Sequence, residues 1–297
     1  MTGASGFVGS NIVKVLQDLH GDDVVADRVD MLDPLAVAGH LERHAPDGVI
    51  HCAIVNDWDR IRADRHYGWR AYVESTRSYA DAAVEADVPF VLVSTDWVFD
   101  GTQGPADEQT PPNPVNLYGF LKAAAEIVTL DRGGAVARVS GVNGTHWARP
   151  ETIRQQDQGF GYFVASLVGA LEAGQPFTVW EADDINMVAS PCLGSMCGEI
   201  MRAMLVEQAS GIAHCCGSQA VTRRELATAT VEVFELDPNL LLFGPPPETA
   251  PMPIPYNTAL DATETARRLD YDLPTVRELL AAFRHERSTG TVTSFLE

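Results

Sequence analysis

Two patterns in the 297-residue sequence predict an α/β fold, a doubly wound parallel sheet with a small C-terminal α/β lobe. Short apolar runs without polar alternation recur in the first half, as in strands that a parallel sheet buries on both faces. Longer helical stretches separate these runs, and such alternation implies right-handed βαβ units. The alternation loosens from about residue 141, so we predict a first domain over 1–140 and a second lobe over 141–297 that partly interleaves with it.

The individual elements follow from these patterns in chain order. Strands are predicted at 24–26, 48–52, 90–93 and 135–139, because each run is too short for a helix. Helices are predicted between them at 10–19, 34–44, 72–86 and 118–130. In the second half, helices are predicted near 162–173, 192–208, 222–235 and 274–286, between proline-rich loops. Short apolar runs at 177–180 and 211–214 are expected to add strands to the first layer.

The charge balance restricts the classes of partner. The sequence carries 41 acidic residues and 21 Lys or Arg residues, a net charge of −20. Such a surface repels phosphate backbones, so no nucleic-acid partner is expected. No apolar run approaches the roughly 18–20 residues of a membrane helix, and the N-terminus lacks the basic and apolar regions of a signal peptide. We therefore expect a cytoplasmic protein that does not associate with membranes.

The five cysteines form no Cys-x-x-Cys pair, and their number is odd. In a chain of this length we expect them to be reduced structural thiols. Their spacing does not match a metal-ligand pattern, so no metal site is predicted.

A glycine-rich segment opens the chain directly before a predicted helix. Gly3, Gly6 and Gly9 have the spacing Gly-x-x-Gly-x-x-Gly. Glycines in such a motif allow a tight turn, close approach of the backbone to a pyrophosphate, and close packing of helix on sheet. The helix N-terminus would then attract the phosphates. Because the motif is weak alone, an ordinary glycine-rich turn is the alternative.

Tyr118 and Lys122 stand four residues apart on a predicted helix and therefore share one face. A nearby ammonium favours the phenolate and lowers the pKa of a tyrosine from its usual value near 10. Such a pair can exchange a proton near neutral pH. The chain contains only two lysines, so a chance pair at this spacing is not expected.

Thr95 and Asp96 follow the predicted strand 90–93, at the edge where open α/β sheets place their ligands. A hydroxyl at this position can hydrogen-bond a substrate carbonyl. The alternative is a strand-end turn without a function.

With these motifs the chain resembles the extended short-chain dehydrogenase/reductase family, most closely its dTDP-4-dehydrorhamnose reductase branch. The run Ser-Thr-Asp-Trp-Val-Phe-Asp-Gly at 94–101 is quite specific to that branch, and the resemblance covers essentially the whole chain. It implies a Rossmann doubly wound sheet with a small C-terminal substrate lobe. It also implies hydride transfer between NADP or NAD and C4 of a nucleotide sugar, or another small carbonyl substrate. Relatives often pair helices into dimers, so a homodimer is expected.

The resemblance also implies roles for individual residues. Thr95 would bind the keto oxygen, Tyr118 would protonate it, and Lys122 would hold the nicotinamide ribose and lower the tyrosine pKa. Asp96 and Trp147 would contact the sugar. With Tyr118 and Lys122, the expected cofactor-binding residues are Gly3, Ser5, Gly6, Phe7, Val8, Arg28, Asp30, Met31, Cys52, Ala53 and Ile54.

Asp27 and Arg28 leave the choice between NAD and NADP open. An acid at the end of the predicted strand 24–26 would bind the ribose 2′-hydroxyl and favour NAD. An adjacent arginine would suit the 2′-phosphate of NADP.

The sequence departs from the family pattern in several places. Tyr72 replaces an Asn that supports the active site in many relatives. Gly141 replaces a Trp that packs on the sugar, and Trp147 is the candidate to take that role.

Only Met1 precedes Thr2, where the family has a complete central strand. We expect a start codon assigned too far downstream, because loss of that strand would expose two neighbouring edges and unanchor the glycine loop.

Two classes of function stay open at this point. The first is an NAD(P)H-dependent reductase of a 4-keto nucleotide sugar, with a nucleotide-sugar epimerase or dehydratase as its nearby variant. The second is an NAD(P)-binding, non-catalytic regulatory subunit of another enzyme. Tyr72, Gly141 and the short start favour the second class, whereas the intact pair of Tyr118 and Lys122 favours the first.

Overall fold

The computed structural model describes residues 1–151 and 155–296 and confirms the α/β class. In chain order its strands are β1 (Val49–His51), β2 (Phe90–Thr95), β3 (Ala135–Val139), β4 (Val142–Asn143), β5 (Phe177–Trp180), β6 (Val188–Ala189), β7 (Cys192–Leu193), β8 (Gly211–Cys215), β9 (Val221–Thr222), β10 (Leu241–Gly244) and β11 (Asn257–Thr258). Its α-helices are α1 (Phe7–Asp18), α2 (Pro34–His44), α3 (Trp58–Ala63), α4 (Arg65–Trp69), α5 (Ser75–Glu85), α6 (Leu117–Asp131), α7 (Phe163–Glu172), α8 (Gly194–Val206), α9 (Arg223–Phe234), α10 (Thr263–Leu269) and α11 (Val276–Thr289). A π-helical turn, Arg70–Glu74, joins α4 to α5.

The central sheet has the order β1-β2-β3-β8, and all its pairs are parallel. Val91 and Val93 on β2 belong to one apolar cluster with Ile12 of α1. Phe90 and Leu92, which point to the opposite face, belong to a second cluster with α2 and α5. Helices therefore cover both faces of the sheet, as the apolar runs without polar alternation predicted.

The strand predicted at 24–26 is not present, which corrects that prediction. The ammonium of Met1 donates to the carbonyl of Val25 at 2.7 Å, and the amide of Thr2 donates to Ile50 at 3.0 Å. Val24, Val25 and Ile50 line a cleft of about 560 Å³. The segment consequently lacks the ladder of backbone partners that a strand needs, despite its β-forming residues.

The side chain of Thr2 anchors the glycine loop. The hydroxyl of Thr2 accepts hydrogen bonds from the amides of Cys52 and Ala53, each at 3.1 Å, and bonds to Nδ1 of His51 at 2.8 Å. This one side chain ties the loop to the carboxyl end of β1.

The second half of the chain completes the first layer and builds further small sheets. The predicted strand at 211–214 forms β8 and joins the central sheet beside β3. The predicted strand at 177–180 forms β5 but pairs with β10 in a separate two-stranded sheet, so its expected place in the first layer was wrong. The competing partner is the short apolar run at 241–243, which sequence analysis did not recognise as a strand.

Two buried carboxyl groups hold the C-terminal tail. Glu286 on α11 accepts hydrogen bonds from the hydroxyl of Ser195 at 2.5 Å and from the amide of Thr293 at 3.0 Å. Glu199 on α8 accepts from Ser294 at 2.8 Å and from the amide of Phe295 at 2.6 Å. The tail is therefore fastened between α8 and α11 rather than left in solvent.

Within residues 1–151 and 155–296, no helix combines the length and the apolar character that crossing a bilayer requires. The five cysteines are free thiols. Cys192, Cys197, Cys215 and Cys216 are fully buried, and Cys52 is half-buried at the end of β1.

Candidate active site

The glycine loop brings the start of α1 against the end of β1. Gly3 has φ +69°, and a Cβ on it would lie 2.7 Å from the backbone of Cys52 and Ala53. A Cβ on Gly9 would lie 2.1 Å from the carbonyl oxygen of Gly3. Only glycine at these positions allows the loop, the strand end and the helix to approach so closely.

The N-terminus of α1 fits a pyrophosphate. Gly6 is its N-cap and makes no side-chain cap hydrogen bond, while Ser5 and Gly6 are exposed. The first amides of a helix have no partner within the helix and carry partial positive charge, so they bind phosphate oxygens. Phe7 and Val8 begin this first turn. The loop predicted from the glycine spacing therefore has the backbone conformation that a dinucleotide needs.

Tyr118 lies in the first turn of α6, which begins at Leu117. Asn116 caps this helix by accepting from the amide of Gly119 at 2.9 Å. A Cβ on Gly119 would lie 2.1 Å from the carbonyl oxygen of Trp97, so glycine at this position lets α6 approach the end of β2. The approach places the hydroxyl of Tyr118 in a hydrogen bond with Thr95.

Thr95 belongs to a buried chain of hydrogen bonds at the end of β2. Its hydroxyl donates to Oδ1 of Asp96 at 3.1 Å and accepts from the amide of Trp97 at 3.2 Å. The hydroxyl of Ser140 donates to Oδ2 of the same carboxyl at 2.8 Å, and Thr258 also hydrogen-bonds to it. Because the side chain of Asp96 is buried and already bonded to three hydroxyls, it orients Thr95, and contact with a sugar stays a prediction.

The pKa of Tyr118 is raised to about 12. Burial is the largest cause, and the charges of Asp96 and Cys52 act in the same direction, while a hydrogen bond with Thr95 lowers it. Tyr118 is therefore protonated at neutral pH and can donate a proton. The lowering of its pKa by Lys122, which the sequence motif predicts, is not among the causes acting in this structure.

Lys122 is buried one turn further along α6. Its Nζ donates to the carbonyl of Val93 at 2.5 Å. Burial lowers its pKa to about 8, although the nearby Cys52 and Glu126 raise it. The ammonium form therefore predominates below pH 8 and is available to hydroxyl groups of a ribose.

An aromatic wall surrounds Tyr118. The rings of Trp58, Tyr72 and Trp97 lie 5.6, 6.3 and 6.0 Å from its ring, each near perpendicular. Tyr72 projects from the π-helical turn, and its hydroxyl donates to the carbonyl of Val55 at 2.9 Å. The Tyr that replaces the family Asn thus fixes the loop that follows β1.

The other expected cofactor contacts lie around this site. Cys52 and Ala53 follow β1 directly, beneath the glycine loop, and burial raises the pKa of the Cys52 thiol to about 11. Ile54 is exposed. Asp30 caps a local turn by accepting from the amide of Leu32 at 3.0 Å, and Met31 packs beside α2 and α5. Their contacts with a cofactor stay predictions.

Asp27 and Arg28 point to different surroundings. Oδ2 of Asp27 lies 3.3 Å from Nε2 of His44 on α2. Arg28 is exposed at the end of the segment 24–26. The acid is thus directed to α2, and the arginine is exposed to solvent.

Trp147 lies against α1 rather than in the aromatic wall. Nζ of Lys14 is 5.0 Å from the centroid of its ring. It lines a cavity of about 590 Å³ together with Phe7 and Tyr162. Its proposed contact with a sugar stays a prediction, and the structure places Trp58 and Trp97 nearer to Tyr118.

Sequence reasoning missed four side chains at this site. Ser140 and Thr258 support Asp96, and Trp58 and Trp97 flank Tyr118. Ser140 ends the strand next to β2, so the rule that ligands bind at the carboxyl edge of a sheet could have identified it. Thr258 and Trp58 reach the site through tertiary packing, and no local pattern marks them.

Comparison with known proteins identifies relatives over nearly the whole chain. A family model described as the RmlD substrate binding domain matches residues 1–288. The chain is 26% identical over 251 residues to the dTDP-4-keto-6-deoxy-D-glucose reductase of Streptomyces niveus, covering 80% of this chain and 79% of that protein. It is 25% identical over 276 residues to methionine adenosyltransferase 2 subunit beta of Xenopus tropicalis, covering 89% of this chain and 80% of that protein.

A solved structure has the same fold. It is a dTDP-4-dehydrorhamnose reductase from Bacillus anthracis in complex with NADP, with a TM-score of 0.79 and 20% sequence identity. The match covers 96% of this chain and 97% of that one. The Rossmann-type sheet and the elements around it therefore share the fold of that protein.

Proposed function

The chain belongs to the RmlD substrate binding domain family, and from that premise we propose that it reduces the 4-keto group of a nucleotide sugar with NADPH. The observation that carries the proposal is the grouping of Thr95, Tyr118 and Lys122 beside the glycine loop. The name of the Streptomyces niveus relative describes a reaction of this kind. An epimerase or a dehydratase is the nearby alternative.

Each residue of the site has a separate role in such a reduction. A nicotinamide cofactor held by the glycine loop and Lys122 would provide the hydride for the carbonyl carbon. Thr95, whose hydroxyl donates to Asp96 in this structure, would turn that proton to the keto oxygen of a bound substrate. Tyr118 is protonated at neutral pH and donates its proton to that oxygen as negative charge develops there. Lys122, whose ammonium form predominates below pH 8, would hold the ribose of the cofactor.

We further propose that NADP is the preferred cofactor. Oδ2 of Asp27 lies 3.3 Å from Nε2 of His44, so this carboxyl group lies beside a side chain of α2. Arg28 is exposed beside it and can bind the 2′-phosphate through a charge-assisted hydrogen bond.

A turnover assay tests the function directly. The purified chain is mixed with NADPH and a dTDP-4-keto-6-deoxy sugar, and the loss of NADPH absorbance is followed together with the mass of the product. We expect cofactor oxidation in step with a sugar that gains two hydrogens. If NADPH binds but no keto sugar of a panel is reduced, the proposal is wrong.

The structure also offers a surface for the expected homodimer. Phe120, Ile127 and Leu130 are exposed on α6, and Val84 is exposed on the neighbouring α5. Phe120 and Ile127 are seven residues apart and lie on one face of the helix. Since exposed apolar side chains on adjacent helices mark interaction surfaces, we propose that two copies pack α5 and α6 together.

A regulatory subunit is the second candidate function. The resemblance to methionine adenosyltransferase 2 subunit beta favours it, because that protein is named as a subunit of another enzyme. On this reading the chain binds NAD(P) without turnover and purifies with a stoichiometric partner. A self-contained homodimer that reduces keto sugars would exclude this candidate.

A further inference from the structure

A cluster of three potential metal ligands lies outside the active site. His40 and His44 are four residues apart on α2, so their rings share one face, with centroids 4.5 Å apart. The carboxyl group of Asp27 joins them from the segment before α2. One ligand atom from each of the three residues lies within 4.8 Å of the other two.

His44 has a ring nitrogen that lacks a hydrogen-bond partner. Its Nε2 is buried and makes no hydrogen bond in the described part of the chain, although Oδ2 of Asp27 is 3.3 Å away. Zinc binds imidazole nitrogen and carboxylate oxygen at about 2.0–2.2 Å, and the edge of such a tetrahedron is about 3.3–3.5 Å. The separation of these two atoms therefore fits two ligands of one zinc ion.

We propose that Asp27, His40 and His44 form a zinc site that fastens the segment before α2 to that helix. Two imidazoles and one carboxylate are a ligand set that zinc accepts, and the partly exposed position leaves room for water as the fourth ligand. The segment carrying Asp27 forms no strand, so a bound ion would add a tertiary link between this segment and α2.

Calorimetric titration of the chelator-treated protein with zinc chloride tests the site. We expect one ion per chain, with a dissociation constant on the order of micromolar or tighter. His40→Ala, His44→Ala and Asp27→Asn should each weaken binding at least about tenfold, because each removes a ligand. His285→Ala is the matched control, since His285 is exposed on α11 far along the chain, and it should bind zinc as the parent does.

Cobalt provides a second readout that distinguishes the ligands. Tetrahedral cobalt bound by nitrogen and oxygen gives visible d–d bands without the strong thiolate charge-transfer band that cysteine ligands produce. Thiolate bands, zinc binding unchanged in His44→Ala, or binding only at millimolar zinc would each overturn the proposal. The measurements do not depend on turnover, so they remain informative if the proposed reductase activity fails.

Discussion

At the scale of single residues, Tyr118 is set up as a proton donor. Burial raises its pKa to about 12, and its hydroxyl hydrogen-bonds to Thr95, which Asp96 orients. The pair of Tyr118 and Lys122 was predictable because helical spacing places them on one face, and Thr95 because it ends a buried strand. The hydrogen bonds of Ser140 and Thr258 to Asp96 were not predicted, because they join segments that are far apart in sequence.

Tyr118→Phe removes the proposed proton donor while leaving the ring in the aromatic wall. We expect the rate of NADPH-dependent keto-sugar reduction to fall by about 10²–10⁴, the usual contribution of a general acid, with little change in NADPH affinity. Tyr271→Phe is the matched control, because the hydroxyl of Tyr271 is buried without a hydrogen-bond partner in the described residues. Equal rates for the two variants would contradict the assignment.

Arg28→Ala tests the cofactor preference. Losing one charge-assisted contact of about 1.5–3 kcal/mol should weaken NADPH binding about 10–100-fold. NADH, which has no 2′-phosphate, should bind as before. Calorimetric titration of both cofactors measures the two effects, and a parallel loss for both would mean that Arg28 does not contact the 2′-phosphate.

At the scale of elements, the turn Arg70–Glu74 shows what periodicity cannot predict. The apolar pattern predicted one helix over 72–86, but the structure widens its first turn into a π-helix that carries Tyr72. Such turns occur often at functional sites. At 24–26 the residues favour a strand, but no neighbouring strand among the described residues provides the backbone hydrogen bonds that a strand needs.

Ile127→Glu tests the proposed pairing of α6 between two copies. Ile127 is 68% exposed, so the substitution should leave the fold of one copy intact. A charge at the centre of an apolar interface should shift the protein from dimer to monomer in light scattering after size-exclusion chromatography. A parent protein that is already monomeric would rule out the interface.

At the scale of the whole molecule, pH is expected to act through buried carboxyl groups. Burial raises the pKa of Glu286 to about 7, against an ordinary value of 4.5, despite its hydrogen bond from Ser195. A raised pKa in the folded state means that the protonated form stabilises the fold. This contribution is complete below pH 4.5 and is lost as the pH rises through about 7.

Glu286→Gln removes that dependence. Gln cannot ionise but can still accept from Ser195 and Thr293, so the variant should be more stable than the parent at pH 8, by on the order of 3 kcal/mol. The difference should shrink as the pH falls to 4.5. Urea unfolding across this range measures it, with Glu248→Gln, an exposed position, as the control. A constant difference at all pH values would contradict the assignment.

The burial of four of the five cysteines has a practical consequence for chemical labelling. Cys52 is half-buried, its raised pKa of about 11 slows alkylation, and it lies beneath the glycine loop. A maleimide should therefore modify the native chain slowly and once, whereas the unfolded chain offers all five thiols. A bound dinucleotide should shield Cys52 from the reagent. The fraction of labelled chains, measured by mass spectrometry, should therefore fall as the dinucleotide binds.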